Sequence, residues 1–214
     1  MDPKAAKNVL TVVIPAYNEE ECIKEAVNSW INVINKIPSN TENNTKKGVL
    51  IVVNDGSKDK TGEILAQLQK EFGEERLLVI NQENKGHGAA VVRGYKQALK
   101  LNPCWIFQTD SDNQFYPEDF WKLWEVRKDS PFILGIRGDR ADAWYRKCIS
   151  LCVMSLIRVF FGIWVKEANV PFRLIKAKYL KELINKIPQD AFAPNIFLSI
   201  EAGKEGKITY TVVR

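Results

Sequence analysis

The chain has 214 residues, 45% of them hydrophobic and 10% aromatic, enough to bury one sizeable core within the size range of one domain. Charged residues make up 27%, mixed in sign with a net of +5, which excludes a disordered polyelectrolyte or a polybasic nucleic-acid arm and fits anionic partners such as diphosphates or lipid head groups. Cys22, Cys104, Cys148 and Cys152 fall on apolar faces of the predicted elements without CxxC spacing, which points to a reducing, cytoplasmic compartment.

The first residues run into a strand with no cationic, apolar leader pattern, so export is not expected. From there short β-branched runs alternate with helical periodicity. A strand is predicted over Leu10 to Ile14, then a helix carried by Ile23, Val27, Trp30, Ile34 and Ile37. A polar surface loop from Pro38 to Gly48 leads to a strand over Val49 to Val53 and a helix carried by Ile64, Leu65, Leu68 and Phe72. Strand Leu77 to Ile80, helix Gly88 to Leu99, strand Trp105 to Thr109, helix Glu118 to Val126 and strand Phe132 to Ile136 follow. The fold class this predicts is α/β, a mainly parallel sheet with helices on both faces and ligands beyond the carboxyl ends of the strands.

The second half changes character. From Cys148 to Val165 the chain is apolar except for Ser150, Ser155, Arg158 and Gly162. A charge near the centre would cost a membrane-spanning helix roughly 2.5 to 3.5 kcal/mol. An amphipathic or interfacial helix within residues 143–165 is therefore expected, with an ordinary core helix as the other possibility. Ile208, Tyr210 and Val212 alternate in a last strand that stops without a cap, so the natural protein, one catalytic domain over 1–214, is expected to continue beyond Arg214.

Three informative loops sit where predicted strands end: Pro15-Ala16-Tyr17-Asn18-Glu19-Glu20, Asn54-Asp55-Gly56-Ser57 and Thr109-Asp110-Ser111-Asp112-Asn113-Gln114. Singly each fits a turn or a helix start. Together on one rim of one sheet they favour a site. In extended chain Asp110, Asp112 and Gln114 stand on one side and can aim oxygens at one point, a donor set suited to Mg²⁺ or Mn²⁺. Zinc is excluded by a single histidine, His87, and by the lack of a cysteine pair at ligand spacing. His87 itself reads as a turn or packing residue. Asn84-Lys85-Gly86-His87-Gly88 is a glycine-rich helix start whose backbone N–H groups can meet phosphate, but without GxGxxG and its following acid it is not a nicotinamide site.

These motifs resemble a known family. VVIPAYNEE, VVNDGSKDKT, NKGHGAAVVRGY, TDSDNQ, GIRGDR, RKCIS and EANVPFRL are similar to the inverting family-2 glycosyltransferases of GT-A fold, and among them to the polyprenyl-phosphate, dolichol-phosphate mannosyltransferase-like branch. The resemblance spans nearly the whole chain. It implies a nucleoside-diphosphate sugar donor held by Pro15, Ala16, Tyr17 and Glu19 of the first loop, by Asp55 near the base, and by Lys85, Asp110 and Ser111. It also implies that Asp110, Asp112 and Gln114 match the metal and diphosphate ligands. Two positions depart from the family pattern. Asn54 stands where the family usually has an aspartate, and Glu167 is the nearest acid where an aspartate often precedes the Pro171-Phe172-Arg173 segment.

Arg137, Arg146 and Ser150 resemble the residues that hold a lipid-phosphate acceptor in that branch, Arg146 and Ser150 being i, i+4 on one helix face. A phosphomonoester with a second pKa of about 6 needs no base at neutral pH. The sequence therefore leads to peripheral membrane contact at the cytoplasmic face, a polyprenyl-phosphate acceptor, and no nucleic-acid partner. A structural network pairing Arg137 and Arg146 with Asp139, Asp142 or Glu167 is the plainer alternative for those arginines. A polysaccharide or glycan-chain glycosyltransferase with a hydroxyl acceptor and Asp139 or Glu167 as base, a nucleotidyltransferase, and a non-catalytic nucleotide-sugar binding module are alternatives at the level of function.

Overall fold

A computed structural model describes residues 8–37, 46–112, 114–138, 144–188 and 191–214. In chain order the elements are β1 (Asn8–Ala16), α1 (Ile23–Lys36), β2 (Lys46–Asp55), α2 (Thr61–Phe72), β3 (Leu77–Gln82), α3 (His87–Lys100), β4 (Pro103–Gln108), α4 (Phe120–Glu125), β5 (Phe132–Arg137), α5 (Trp144–Phe161), β6 (Arg173–Lys176), α6 (Ala177–Ile184), α7 (Pro194–Lys204) and β7 (Ile208–Val213).

The strands form one sheet in the order β3-β2-β1-β4-β6-β5-β7. β3, β2, β1 and β4 are parallel, as the β/α alternation predicts, and β7 is parallel to β5. β6 runs antiparallel to both β4 and β5, so the sheet is mixed. β4 has a different neighbour on each side, β1 and β6, and the loop leaving its carboxyl end opens between them.

Alternation along the strands sorts the core into two layers. Val12 of β1 is level with Phe107 of β4. On that face Phe107 meets Trp30 of α1, Phe120 of α4 and Phe172, with ring centroids 4.8 to 5.1 Å apart. Val13 and Gln108 share the next register position and the opposite face, the side taken by α3. There an added Cβ on Gly94 of α3 would lie 2.3 Å from Val13 Cγ1, so the helix seats directly on the strand. A smaller cluster of Ile157, Val165, Ala168 and Ile200 lies under α5 and α7.

Several boundaries differ from the sequence expectation. β1 and β2 run past Ile14 and Val53, so Pro15, Ala16, Asn54 and Asp55 belong to strands instead of loops, paired as Pro15–Val53 and Ala16–Asn54. The polar stretch from Pro38 to Gly48 was expected as a loop, but Lys46 to Gly48 are already β2 and pair with β1; residues 38–45 lie outside the description. The helix expected from Glu118 is a 3₁₀ turn over Pro117–Asp119 followed by α4. α5 stops at Phe161, because Gly162 takes the left-handed conformation at φ 69°, so the apolar stretch is not helical up to Val165. Cys104 and Cys152 are exposed and Cys22 half-buried, so the cysteine side chains described do not sit on buried faces. In β7 it is Val213 that is buried, while Val212 is 58% exposed.

Candidate active site

The first two loops are stitched together by backbone donors. Asn18, at φ 55°, donates its N–H to Ser57 Oγ at 3.0 Å and accepts Lys58 N–H on Oδ1 at 2.8 Å. Glu19 N–H donates to Thr61 Oγ1 at 2.8 Å, Glu20 N–H to Asp59 Oδ2 at 3.1 Å, and Lys60 N–H to Glu20 Oε2 at 2.9 Å. Glu20 therefore ties one loop to the other instead of projecting free. Glu19 Oε2 accepts the Cys22 thiol at 2.8 Å, and burial together with that carboxylate pushes the thiol up to about 12. Tyr17 stands exposed at the mouth, while Pro15 and Ala16 are buried and offer only backbone.

Asn54, the departure from the family pattern, uses both halves of its amide. Nδ2 donates to Asn81 Oδ1 at 2.9 Å on β3, and Oδ1 accepts Ser57 N–H at 3.2 Å. An ionised carboxylate could accept but not donate, so only the amide can make both of these bonds as they stand.

Asp55 is 3% exposed, and its carboxylate faces the glycine-rich turn. Oδ1 accepts from Gln82 Nε2 at 2.6 Å and Lys85 N–H at 2.9 Å, and Oδ2 accepts from Gly86 N–H at 2.9 Å. Asp55, which the resemblance puts near the base, holds Lys85 and Gly86 at the start of α3. No side chain caps α3, so its first N–H groups point beyond the turn. Gly88 is required at this start, because an added Cβ would lie 2.3 Å from the carbonyl oxygen of Phe192.

At the end of β4 the segment bends at Ser111 and Asp112, so Asp110, Asp112 and Gln114 are not presented by an extended strand. Ser111 is buried, with Oγ donating to the Pro15 carbonyl at 3.3 Å, which pins the β4 loop to β1. Asp112 Oδ1 accepts Gln114 N–H at 3.1 Å. Gln114 turns its own oxygens, O and Oε1, to Arg137 Nη2 at 2.8 and 3.2 Å, and Arg137 lies 4.4 Å over the Phe115 ring. The Asp112 carboxyl is raised, first by burial and then by the charges of Asp110 and Glu19, with Arg137 and the Gln114 N–H opposing.

Asp110 Oδ1 is 3.1 Å from His87 Nε2. His87 is the first residue of α3, exposed, and raised chiefly by its hydrogen bond to Asp110 against the opposing effect of burial. It stands at the turn into α3, as one of its two readings has it, but is exposed instead of packed and touches the acidic loop. From below, Gln108 Nε2 donates to the same Asp110 oxygen at 3.3 Å. Gln108 Oε1 accepts from Asn195 Nδ2 at 3.0 Å and Tyr95 OH at 3.4 Å. Arg173, level with Gln108 across β4 and β6, is fully buried and gives its guanidinium to the carbonyls of Ala168, Val170 and Asn195; burial lowers it to about 10. Sequence reasoning passed over Gln108 and Asn195 and took Arg173 only as part of the Pro171-Phe172-Arg173 motif. The available signal was a polar residue closing the apolar run Trp105-Ile106-Phe107, immediately before the acidic loop.

Among the described residues no group of three or more His, Cys, Asp or Glu is arranged to hold a metal by itself. The oxygen donors still fit Mg²⁺ or Mn²⁺. The Asp112 carboxyl is raised in part by the charges of Asp110 and Glu19, a repulsion a cation would relieve, and such cations commonly use one or two protein carboxylates with substrate phosphates completing the shell.

Arg146 and Ser150 are one turn apart on α5, but their side chains lie outside the described residues, as do Asp139 and Asp142. Glu167 is half-buried in the segment before β6, accepting Val170 N–H on its carbonyl at 3.5 Å. The described part of α5 turns Leu151, Leu156, Val159, Phe160 and Phe161 outward and buries Ile157. No described helix is long and apolar enough to cross a membrane.

Comparison with known proteins agrees with this architecture. Over 186 residues the chain is 25% identical to the undecaprenyl-phosphate 4-deoxy-4-formamido-L-arabinose transferase of Edwardsiella ictaluri, covering 86% of this chain and 54% of that protein. It spans about half the length of that transferase. An uncharacterised protein of Methanocaldococcus jannaschii is 28% identical over 208 residues, covering 92% of this chain and 83% of the other. The crystal structure of glucosyl-3-phosphoglycerate synthase from Mycobacterium tuberculosis in complex with Mn²⁺ and uridine-diphosphate-glucose superimposes with a TM-score of 0.64 at 16% identity, covering 96% of this chain and 69% of that one. The fold is GT-A. The family described as Glycosyl transferase family 2 matches residues 11–188, which hold the two stitched loops, the glycine-rich turn and the acidic loop, and the chain belongs to that family.

Proposed function

We propose that this chain is the catalytic part of a metal-assisted, inverting glycosyltransferase that moves a sugar from a nucleoside-diphosphate sugar to a polyprenyl phosphate at the cytoplasmic face of a membrane. The observation that carries this is the convergence, at the carboxyl ends of β1, β2 and β4, of a glycine-rich helix start held by Asp55 and an acidic loop held by Ser111 and Gln108. The similarity to an undecaprenyl-phosphate sugar transferase supports the acceptor class, and the Mn²⁺ and uridine-diphosphate-glucose in a structural neighbour support the cofactor and the donor class.

Asp110, Asp112 and Gln114 would hold Mg²⁺ or Mn²⁺, which when bound neutralises charge on the diphosphate leaving group. The N–H groups of α3, aimed by Asp55, donate to the same phosphates, and Lys85 adds a positive charge beside them. Pro15, Ala16, Tyr17 and Glu19 line the nucleoside side. The acceptor phosphate, bound by Arg137, Arg146 and Ser150, attacks the anomeric carbon from the face opposite the diphosphate. A new C–O bond forms there as the bond to the nucleoside diphosphate breaks, and the configuration inverts. No base is required, because the nucleophilic oxygen is already ionised near neutral pH.

Peripheral attachment through α5 fits this acceptor. Its outward Val159, Phe160 and Phe161, with Arg158 beside them, suit a helix lying in the headgroup boundary.

The test is transfer of radiolabelled sugar from uridine- and guanosine-diphosphate sugars with Mn²⁺, offered undecaprenyl phosphate or an oligosaccharide. Product in the lipid phase is expected, with Arg146→Ala lowering acceptor-dependent kcat/KM by about tenfold to a hundredfold and donor Kd held within about twofold. Product only on the oligosaccharide overturns the lipid-phosphate acceptor, and donor binding without transfer to either overturns catalysis.

A further inference from the structure

At the opposite end of β4 from the acidic loop lies a cleft of about 1110 Å³. Its lining includes the apolar residues Leu99, Pro103, Trp105 and Ile184, with Pro103 and Ile184 buried and Trp105 half-buried. Its cationic lining comes from three segments of the chain. α3 contributes Lys96 and Lys100, and the turn after α4 contributes Arg127 and Lys128. The end of β6 and α6 contribute Lys176, Lys178 and Lys181. No acidic side chain lines the cleft among the described residues, and none of these seven cations is ion-paired to a described residue.

The chain carries 31 Lys and Arg against 26 Asp and Glu, so seven cations in one concavity with no acid is a local concentration the average charge does not require. Like charges facing one another across a concave, low-dielectric wall focus a positive potential and repel each other until an anion enters. The volume is just above the roughly 300 to 1,000 Å³ of ligand pockets, and apolar lining with a few polar groups is the make-up of small-molecule sites. A bare inorganic ion would leave the apolar lining of Leu99, Pro103 and Ile184 without a partner.

We propose that this cleft binds a small organic polyanion, a flat or ring-bearing molecule with several phosphate, sulfate or carboxylate groups. Its apolar part lies against Leu99 and Ile184 and its charges are spread over the lysines of α3 and α6. The site is separate from the sugar-transfer rim. Trp105 and Asp110 are five residues apart along the strand direction, roughly 17 Å at about 3.3 Å per residue. The inference does not depend on the proposed transferase activity.

The probe is 8-hydroxypyrene-1,3,6-trisulfonate, a fluorescent aromatic trianion, titrated into the full chain in EDTA without nucleotide and followed by anisotropy. Saturable one-to-one binding is expected, displaced by inorganic tripolyphosphate. Lys178→Glu with Lys181→Glu should weaken it by about tenfold or more, since each reversal removes one attraction and adds a repulsion. Lys24→Glu with Lys70→Glu, the same charge change on exposed positions of α1 and α2, should leave it within about twofold. Thermal unfolding of both double variants checks that each is folded. Equal weakening by the two pairs, or binding that does not saturate, overturns the site as non-specific charge attraction. Loss of binding in Asp112→Ala places the dye at the sugar-transfer rim and overturns it as well. Sedimentation with phosphatidylglycerol vesicles that requires Lys178 and Lys181, without dye binding, assigns the cleft to a membrane instead.

Discussion

Asn195 Nδ2 donates to Gln108 Oε1 at 3.0 Å, a bond between residues 87 positions apart that connects the start of α7 to the last residue of β4. Through Gln108 Nε2 the same link reaches Asp110 Oδ1 at 3.3 Å, so a buried amide pair sets the position of a carboxylate in the acidic loop. Gln108→Leu removes the donor to Asp110 and strands the polar groups of Asn195 and Tyr95 in the core. Leaving buried groups unpaired costs about 1 to 3 kcal/mol, which a urea midpoint will report. Mn²⁺-dependent binding of uridine diphosphate should also weaken by about tenfold. Loss of stability with unchanged Mn²⁺ affinity would confine Gln108 to the core.

Asp55→Ala should reduce uridine-diphosphate affinity by about tenfold both with and without Mn²⁺, read by calorimetry. The substitution releases three donors, two of them the backbone N–H groups of Lys85 and Gly86 that start α3. Unchanged affinity would mean the glycine-rich turn keeps its shape without the carboxylate.

Asp112→Ala is expected to abolish metal-dependent stabilisation by nucleoside diphosphates and to leave the melting temperature of the free protein within about 2 °C. The side chain is solvent-accessible and accepts the Gln114 N–H within its own loop, so little folding energy is at stake. A thermal shift on adding Mn²⁺ with uridine diphosphate that equals the wild type would remove Asp112 from the metal site.

Asp119 couples stability to pH. It is 1% exposed. Burial pushes its carboxyl up, but Arg214 N–H at 2.8 Å and Lys122 Nζ at 3.0 Å outweigh this and hold it below the ordinary range. A folded-state pKa below the unfolded value of about 3.9 stabilises the protein above that pH, and the contribution is lost as pH falls through the folded value. Asp119→Asn should cost about 1.5 kcal/mol at pH 7, the low end for charged hydrogen bonds because Lys122 and Arg214 are open to solvent. The gap from wild type in urea midpoint should close in acid, and a gap that stays constant from pH 7 to pH 3 contradicts the assignment.

Val159→Ser with Phe160→Ser should lower binding to undecaprenyl-phosphate-bearing anionic vesicles by about tenfold or more in co-sedimentation, from the lost burial of two apolar side chains. Both are more than 70% exposed, so the melting temperature in solution should not fall. Unaltered vesicle binding would remove α5 as the attachment surface.

Local pattern was sufficient for the β/α order, because β-branched runs and 3.6-residue periodicity report burial face by face, and the side-chain layers of β1, β4 and α1 follow from them. The three rim loops were legible for the same reason: each is a polar break directly after an apolar run. Pairing between distant segments was not legible. That β6 enters between β4 and β5 and runs against both, that Asn54 donates to Asn81, that Asp55 faces the start of α3, and that Asn195 supports Gln108 are all contacts across tens of residues. No short-range propensity encodes them. They are decided when the buried amides and carboxylates, which cannot be left without partners in a low-dielectric interior, find the donors that the packed sheet brings within reach.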